Sequence, residues 1–283
     1  TDDQLTASFT LKALESATAT FKNDKLPTLT VTKKVGSATH TEQDFTFELC
    51  TKNDSGEYEK VTEDGLGTAL NTFTNGETLT LQPGTYYIKE VGWPAGVVAP
   101  AENTYTQVTL AANDTLNKTI NNTSSLTSLT IVKQDSKTQA YLAGATVQVS
   151  VAADSNFTDD DIALLTAAGF KLNEAKTAYE QTVATVGNAS GKTIPNLPAF
   201  EADGKTAFTY TVEETKQPEG YILNDEEQTV TLVDTTTGAP AAQKVTILNV
   251  PENTITISKT WYSQWDELNG NKWPLPLANA ELA

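Results

Sequence analysis

One short strand pattern occurs three times and constrains the chain more than any other feature: Leu29-Thr-Val-Thr-Lys33, Leu129-Thr-Ile-Val-Lys133 and Ile255-Thr-Ile-Ser-Lys259. Side chains alternate across a strand, so in each copy two aliphatic residues and the lysine share a face. Burying the aliphatic pair therefore carries an ammonium group toward the interior. An unpaired buried charge is costly, so such a lysine has to be paired, neutralised or chemically consumed.

The pattern is half of a larger repeat. Phe9 to Asn23 aligns without gaps on Val108 to Asn122, and a third copy runs from Val230-Thr-Leu232 to Val245-Thr-Ile-Leu-Asn249 with a few residues inserted at its turn. Each terminal asparagine is followed by a short spacer (Asp24 to Thr28, Thr123 to Ser128, Val250 to Thr254) and then by the lysine strand. Such spacers are too short for floppy linkers, and the repetition predicts neighbouring modules stacked as a rod. On this reading residues 1–23 are the closing strands of a truncated module. Residues 24–123 and 124–250 are complete modules, and 251–283 begin another that stops early, the ends being cut from a longer polypeptide.

Within the first complete module, Phe45-Thr-Phe-Glu-Leu49, Thr78 to Leu81 and Thr85 to Val91 read as strands between glycine- and proline-marked turns. The second repeats this plan with Gly144 to Val151 and Phe208 to Glu214. It adds an insertion at 152–180 in which Thr158 caps a short helix over Asp159 to Ala168, carboxylates in its first turn and Gly169 beyond its end. The predicted class is all-β: tandem antiparallel β-sandwiches with one short helical insertion.

Composition narrows the function. A net charge of −17 argues against nucleic acid or an anionic membrane surface as partner. Every basic residue is lysine, so the arginine fork for bidentate phosphate or carboxylate recognition is missing. One cysteine, Cys50, and one histidine, His40, exclude an intrachain disulfide and a His- or Cys-rich zinc site, and leave little room for a histidine relay. No apolar run is long enough to span a bilayer, and no signal peptide or initiator methionine is seen. The expected setting is secreted, with stability drawn from something other than disulfides. No cofactor is expected.

Three polar residues per module stand where aliphatic ones belong. The lysine shares a face with Leu29 and Val31, or with Leu129 and Ile131. The asparagine on the closing strand shares one with Ile120 (Asn122) or Ile247 (Asn249). A glutamate shares one with Tyr86 and Ile88 (Glu90), or with Tyr210 and Val212 (Glu214). Singly, each has a plain explanation: a solvated strand-end lysine, a turn asparagine, a rim glutamate. Their joint recurrence in the same order and facing predicts that they meet in the core. There burial lowers a lysine pKa and raises a carboxyl pKa, giving a nucleophilic amine and a proton donor at contact distance. The expected product is a Lys-to-Asn amide with loss of ammonia, Glu90 and Glu214 acting as the catalytic acids.

At these residues the sequence resembles the B-type repeats of the Gram-positive collagen adhesin and related modules of sortase-assembled pilins. The stretches that carry it are Leu29 to Lys34, Leu81-Gln-Pro-Gly-Thr-Tyr-Tyr-Ile-Lys-Glu-Val91, Leu129 to Asp135 with Leu142-Ala-Gly-Ala145, and Tyr210 to Glu214 followed by Pro218-Glu-Gly-Tyr221. The segment from Asn196 to Lys205 and the opening Lys259-Thr-Trp261 fit the same pattern. The resemblance implies a reversed immunoglobulin-like sandwich with an intramolecular isopeptide bond. Lys33, Asn122 and Glu90 take the family roles in one module, Lys133, Asn249 and Glu214 in the next. Asn23 and Lys259 are half-sites. It also implies a stalk or shaft segment of a cell-wall-anchored pilin or adhesin, partnered by neighbouring modules or pilin subunits. Neither a Leu-Pro-x-Thr-Gly sorting signal nor a Tyr-Pro-Lys pilin motif occurs, and Lys34 beside Lys33 leaves a one-residue shift of register open.

Two other classes of function stay open. One is an adhesive module that binds host extracellular protein or glycan through loops or the 152–180 insertion. The other is an accessory module of a secreted carbohydrate-active enzyme; Trp261, Trp265 and Trp273 fit a sugar platform, but fit better the start of a module whose core is incomplete. Asp159, Asp160 and Asp161 fit a calcium site or, equally, a helix N-terminus. Cys50 alternates away from Phe45, Phe47 and Leu49, the placement a thioester needs but also that of an inert strand thiol. The Asn-x-Ser/Thr triplets, such as Asn117-Lys-Thr119, are expected by chance in so threonine-rich a chain. No active site for an external substrate is apparent.

Overall fold

A computed structural model of the chain describes residues 23–253 and three isolated positions before them (10, 16 and 18). Strand β1 (Thr28–Val35) opens the first sandwich. It is followed by β2 (Ala38–His40), β3 (Thr46–Lys52), β4 (Tyr58–Lys60), β5 (Phe73–Thr74), β6 (Thr78–Thr80), β7 (Gly84–Gly92), β8 (Thr106–Leu110) and β9 (Thr115–Asn122). One sheet places β2 and β6 along one edge of β1 and β9 along the other. The facing sheet runs β4-β3-β7-β8, with β5 also on β3.

The second sandwich repeats this with additions. Its strands are β10 (Leu126–Asp135), β11 (Thr146–Ala152), β12 (Lys171–Leu172), β13 (Ala178–Ala184), β14 (Lys192–Pro198), β15 (Thr209–Lys216), β16 (Gln228–Thr231) and β17 (Gln243–Asn249), with helix α1 (Asp159–Ala167) between β11 and β12. The sheets are β14-β10-β17 and β12-β13-β11-β15-β16.

Alternation decides the facing. Leu29, Val31, Phe47, Leu49, Tyr86, Ile88, Val108 and Leu110 enclose one core, and Leu129, Ile131, Val147, Val149, Tyr210, Val212, Val245 and Ile247 the other. In both sandwiches all strand pairs are antiparallel except the first with the last: β1 with β9 and β10 with β17 run parallel. A parallel neighbour cannot be reached by a hairpin, and here the whole sandwich serves as the crossover. That pairing brings the lysine strand beside the asparagine strand.

The helix forms where its start signal lies. Thr158 accepts a hydrogen bond from the Asp161 amide, and the Asp161 carboxylate accepts one from the Thr158 amide, a reciprocal capping box. Leu165 and Phe170 then anchor the insertion in the second core. Its last residues belong to β13, which pairs along the full length of β11. Among the described residues no helix is long and apolar enough to cross a membrane.

Candidate functional site: two buried lysine–glutamate–asparagine triads

The register of the parallel pairs sets the geometry. Lys33 lies opposite Ile120 and Lys133 opposite Ile247, while Asn122 and Asn249 sit two residues further along and so on the same face. The glutamate comes from the facing sheet: Phe47 pairs with Glu90 and Val147 with Glu214. In both sandwiches the ladder shifts register immediately beyond this pair, between Thr46 and Phe47 and between Thr146 and Val147. A bulge bends a strand and re-aims its side chains. Its recurrence beside both glutamates ties it to their placement.

The first triad is closely connected. Lys33 is fully buried, and its Nζ lies 2.6 Å from Glu90 Oε2 and also donates to Asn122 Oδ1. Asn122 Nδ2 in turn donates to Glu90 Oε1 at 2.6 Å. The carboxyl therefore bridges the lysine nitrogen and the amide nitrogen. The ring centroids of Phe45 and Phe47 lie 4.7 and 5.8 Å from Nζ. Burial pushes the Lys33 ammonium below the ordinary lysine range, against the opposing pull of Glu90.

The second triad is drier. Lys133, Glu214 and Asn249 are all buried, with Lys133 Nζ 3.0 Å from Glu214 Oε1 and Asn249 Nδ2 donating to Glu214 Oε2 at 2.8 Å. Burial lowers the Lys133 pKa as well, again opposed by its glutamate. Lys133 Nζ, Glu214 Oε1 and Asn249 Oδ1 make no directed hydrogen bond although all three are shut away from water. Lys133 Nζ and Glu214 Oε1 face each other as an ion pair, whereas Asn249 Oδ1 has no partner, which is rare in a folded core and calls for an explanation.

The supporting residues were not apparent in the sequence. Asn75 fills the gap that β2 and β6 leave along β1: its Oδ1 accepts from the Lys33 backbone amide at 2.8 Å, and the Gly76 amide donates to the Val31 carbonyl. In the second triad the Asn224 amide donates to Glu214 Oε2 at 2.9 Å, and Asn249 Nδ2 also donates to the Ile222 carbonyl. Counting from the glutamates, Pro100 occupies the place of Asn224. Proline has no N–H, so Glu90 lacks this donor.

Residues 127–246 match the SpaA prealbumin-like fold domain. The match takes in β11 to β16 and both Lys133 and Glu214. Among solved structures the Bacillus anthracis TIE protein is similar at 18% identity (TM-score 0.39), over 80% of this chain and 34% of that one. A streptococcal ancillary pilin is similar at 16% (TM-score 0.34), over 82% and 64%. The C-terminal fragment of the pilus adhesin SpaC from Lactobacillus rhamnosus GG is similar at 16% (TM-score 0.42), over 81% and 99%. The chain thus spans about a third of the first protein and less than two thirds of the second. A search of the curated proteins finds no match.

The remaining sequence candidates fall out as follows. Lys34 pairs with Asn121 in the β1–β9 ladder, and it is Lys33 that contacts Glu90 and Asn122. Asn23 is exposed, and Lys259, Trp261, Trp265 and Trp273 lie outside the described residues. Asp161 is occupied by the helix cap and by the Ala202 amide at 2.6 Å. Cys50 is buried, and burial pushes its thiol pKa up, away from the reactive thiolate.

Proposed function

We propose that the chain is a load-bearing stalk segment of a Gram-positive cell-surface pilin or adhesin, in which each sandwich is locked by an isopeptide bond between its first and last strands. The observation that carries this is the twice-occurring bridge in which one buried carboxyl touches both the lysine nitrogen and the asparagine amide nitrogen. The SpaA domain match over the second sandwich supports the pilin setting.

The chemistry follows from the contacts. Glu90 takes a proton from the Lys33 ammonium, leaving a neutral amine, a transfer helped by the burial that lowers the lysine pKa. The Nζ lone pair attacks Asn122 Cγ. The carboxyl, 2.6 Å from Nδ2, hands its proton to the departing nitrogen, which leaves as ammonia, and the second amine proton restores the balance through the same carboxyl. One C–N bond forms and one breaks, with no outside reagent. Lys133, Glu214 and Asn249 follow the same course, and the bond would replace the buried ammonium by a neutral amide. Holding the groups in contact supplies the effective molarity that replaces an enzyme.

A strap between first and last strands restricts the unfolded chain as a disulfide does but resists reductants. Tension between the ends would run through the bond rather than the strand ladder. Intact-mass measurement of the purified chain tests this: the expected mass falls short of the sequence mass by one ammonia per sandwich. A chain at its full sequence mass overturns the reading.

A further inference from the structure

The two sandwiches end in loops of the same construction. Counting from the glutamates, Trp93-Pro-Ala-Gly-Val-Val-Ala99 corresponds to Gln217-Pro-Glu-Gly-Tyr-Ile-Leu223 without gaps. The backbone agrees: the Val98 amide donates to the Thr123 carbonyl as Ile222 does to Val250, and Ser125 to Gly96 as Glu252 does to Gly220. Gly96 and Gly220 both have positive φ, 85° and 80°.

Their surroundings differ. In the first loop Val97 is buried and Val98 packs against the core of the second sandwich. In the second, Ile222 is 53% and Leu223 40% exposed, and the chain that follows beyond residue 253 lies outside the described residues. What covers the first loop is the turn at 199–208, which joins β14 to β15. The corresponding turn of the first sandwich is only Leu81-Gln-Pro83, between β6 and β7. Tyr86 and Tyr210 mark the equivalence, donating to the carbonyls of Gln82 and Pro198 from the same place in each sandwich.

The longer turn grips the loop through its backbone. The Ala99 amide donates to the Gly204 carbonyl at 3.1 Å and Trp93 Nε1 to the Asp203 carbonyl at 3.3 Å. Gly204 has φ of +69°, and a Cβ there would stand 2.5 Å from the Val97 carbonyl oxygen and 2.6 Å from the Ala99 nitrogen. Only glycine permits both that conformation and that approach. Asp203 holds the turn in shape, accepting from the Lys205 and Thr206 amides and the Thr206 hydroxyl.

We propose that the 199–208 turn is a clasp that fixes the angle between the two sandwiches. Tandem domains joined by a short spacer move relative to one another by default. Here the extra turn closes a second connection beside the covalent one, so the pair bends as one body. The inference rests on the two-sandwich arrangement and not on the isopeptide bonds.

Spin labels at T85C and T231C, one on each sandwich, in a Cys50→Ser background of the whole chain test it by pulsed electron resonance. The expected result is a narrow distance distribution that becomes about twofold broader in Gly204→Val, as for freely moving domains. Intact mass on the same samples separates loss of the clasp from loss of the crosslinks or of the fold. Trp93→Phe removes the indole donor while keeping an aromatic side chain, and is expected to broaden the distribution to a smaller degree; it decides the matter should Gly204→Val not fold. A distribution already broad in the parent, or equally narrow in the folded variants, overturns the proposal.

Discussion

Lys133 and Asn249 lie on neighbouring parallel strands, with the asparagine two residues beyond Ile247, the residue opposite the lysine. Lys33 and Asn122 repeat this relationship about Ile120. Because the offset is even, both side chains emerge on the core face, where a glutamate from the facing sheet meets them.

The roles of the triad residues are separable by mass. Glu90→Gln keeps the shape of the side chain but cannot accept and return a proton. It is expected to restore one ammonia to the intact mass and leave the second sandwich crosslinked; Glu214→Gln should do the converse. Peptide mapping should then find Lys33 and Asn122 on separate fragments. Full crosslinking in either variant excludes the carboxyl as the proton carrier.

The bond should dominate stability. Lys33 and Asn122 are 89 residues apart, and closing a loop of that size stabilises by about 4–5 kcal/mol in the chain-entropy picture. Calorimetry of Asn122→Ala is therefore expected to lower the melting temperature of the first sandwich by about 20 °C or more. A shift of only a few degrees counts against the load-bearing role.

An uncrosslinked lysine should make stability depend on pH with a definite sign. Burial lowers Lys33 from its ordinary value of 10.5, so between the folded and unfolded pKa the unfolded chain binds more protons. Stability of Asn122→Ala is then expected to rise with pH until about that unfolded value and to level off above it. Urea midpoints for Asn122→Ala, set against Asn122→Ala with Lys33→Met, isolate the contribution. A difference between the two that falls as pH rises contradicts the burial-driven shift.

The helical insertion should be separable from the chemistry. Thr158→Ala removes half of the capping box and is expected to cost about 1 kcal/mol in the second sandwich. Its crosslink, read by mass, should be unaffected, because α1 touches none of the three triad residues through a hydrogen bond.

Much of this was legible in the sequence because the relevant signals are local. Alternation placed Lys33, Glu90 and Asn122 on inward faces, and Thr158 ahead of three carboxylates marked the helix start where it occurs. The repeat showed which strands correspond. What could not be read depends on contacts between distant segments. The parallel pairing of β1 with β9 leaves no trace in either strand, since a strand looks alike whichever way its neighbour runs. The bulges beside Glu90 and Glu214 are defined by a partner strand and not by their own residues. Asn75 reads as a turn residue until β1 is seen to need a donor's partner at Lys33. The exchange of Asn224 for Pro100, which changes what supports the glutamate, becomes meaningful only once Asn224 is seen to donate to Glu214.

The parallel closure has a consequence for growth of such a chain. A segment that begins and ends on strands pointing the same way is left at the pole opposite to the one by which it was reached. Copies joined in series therefore never need to double back, and gene duplication or deletion of whole units changes the reach of the protein while leaving the strand order inside each remaining unit as it was.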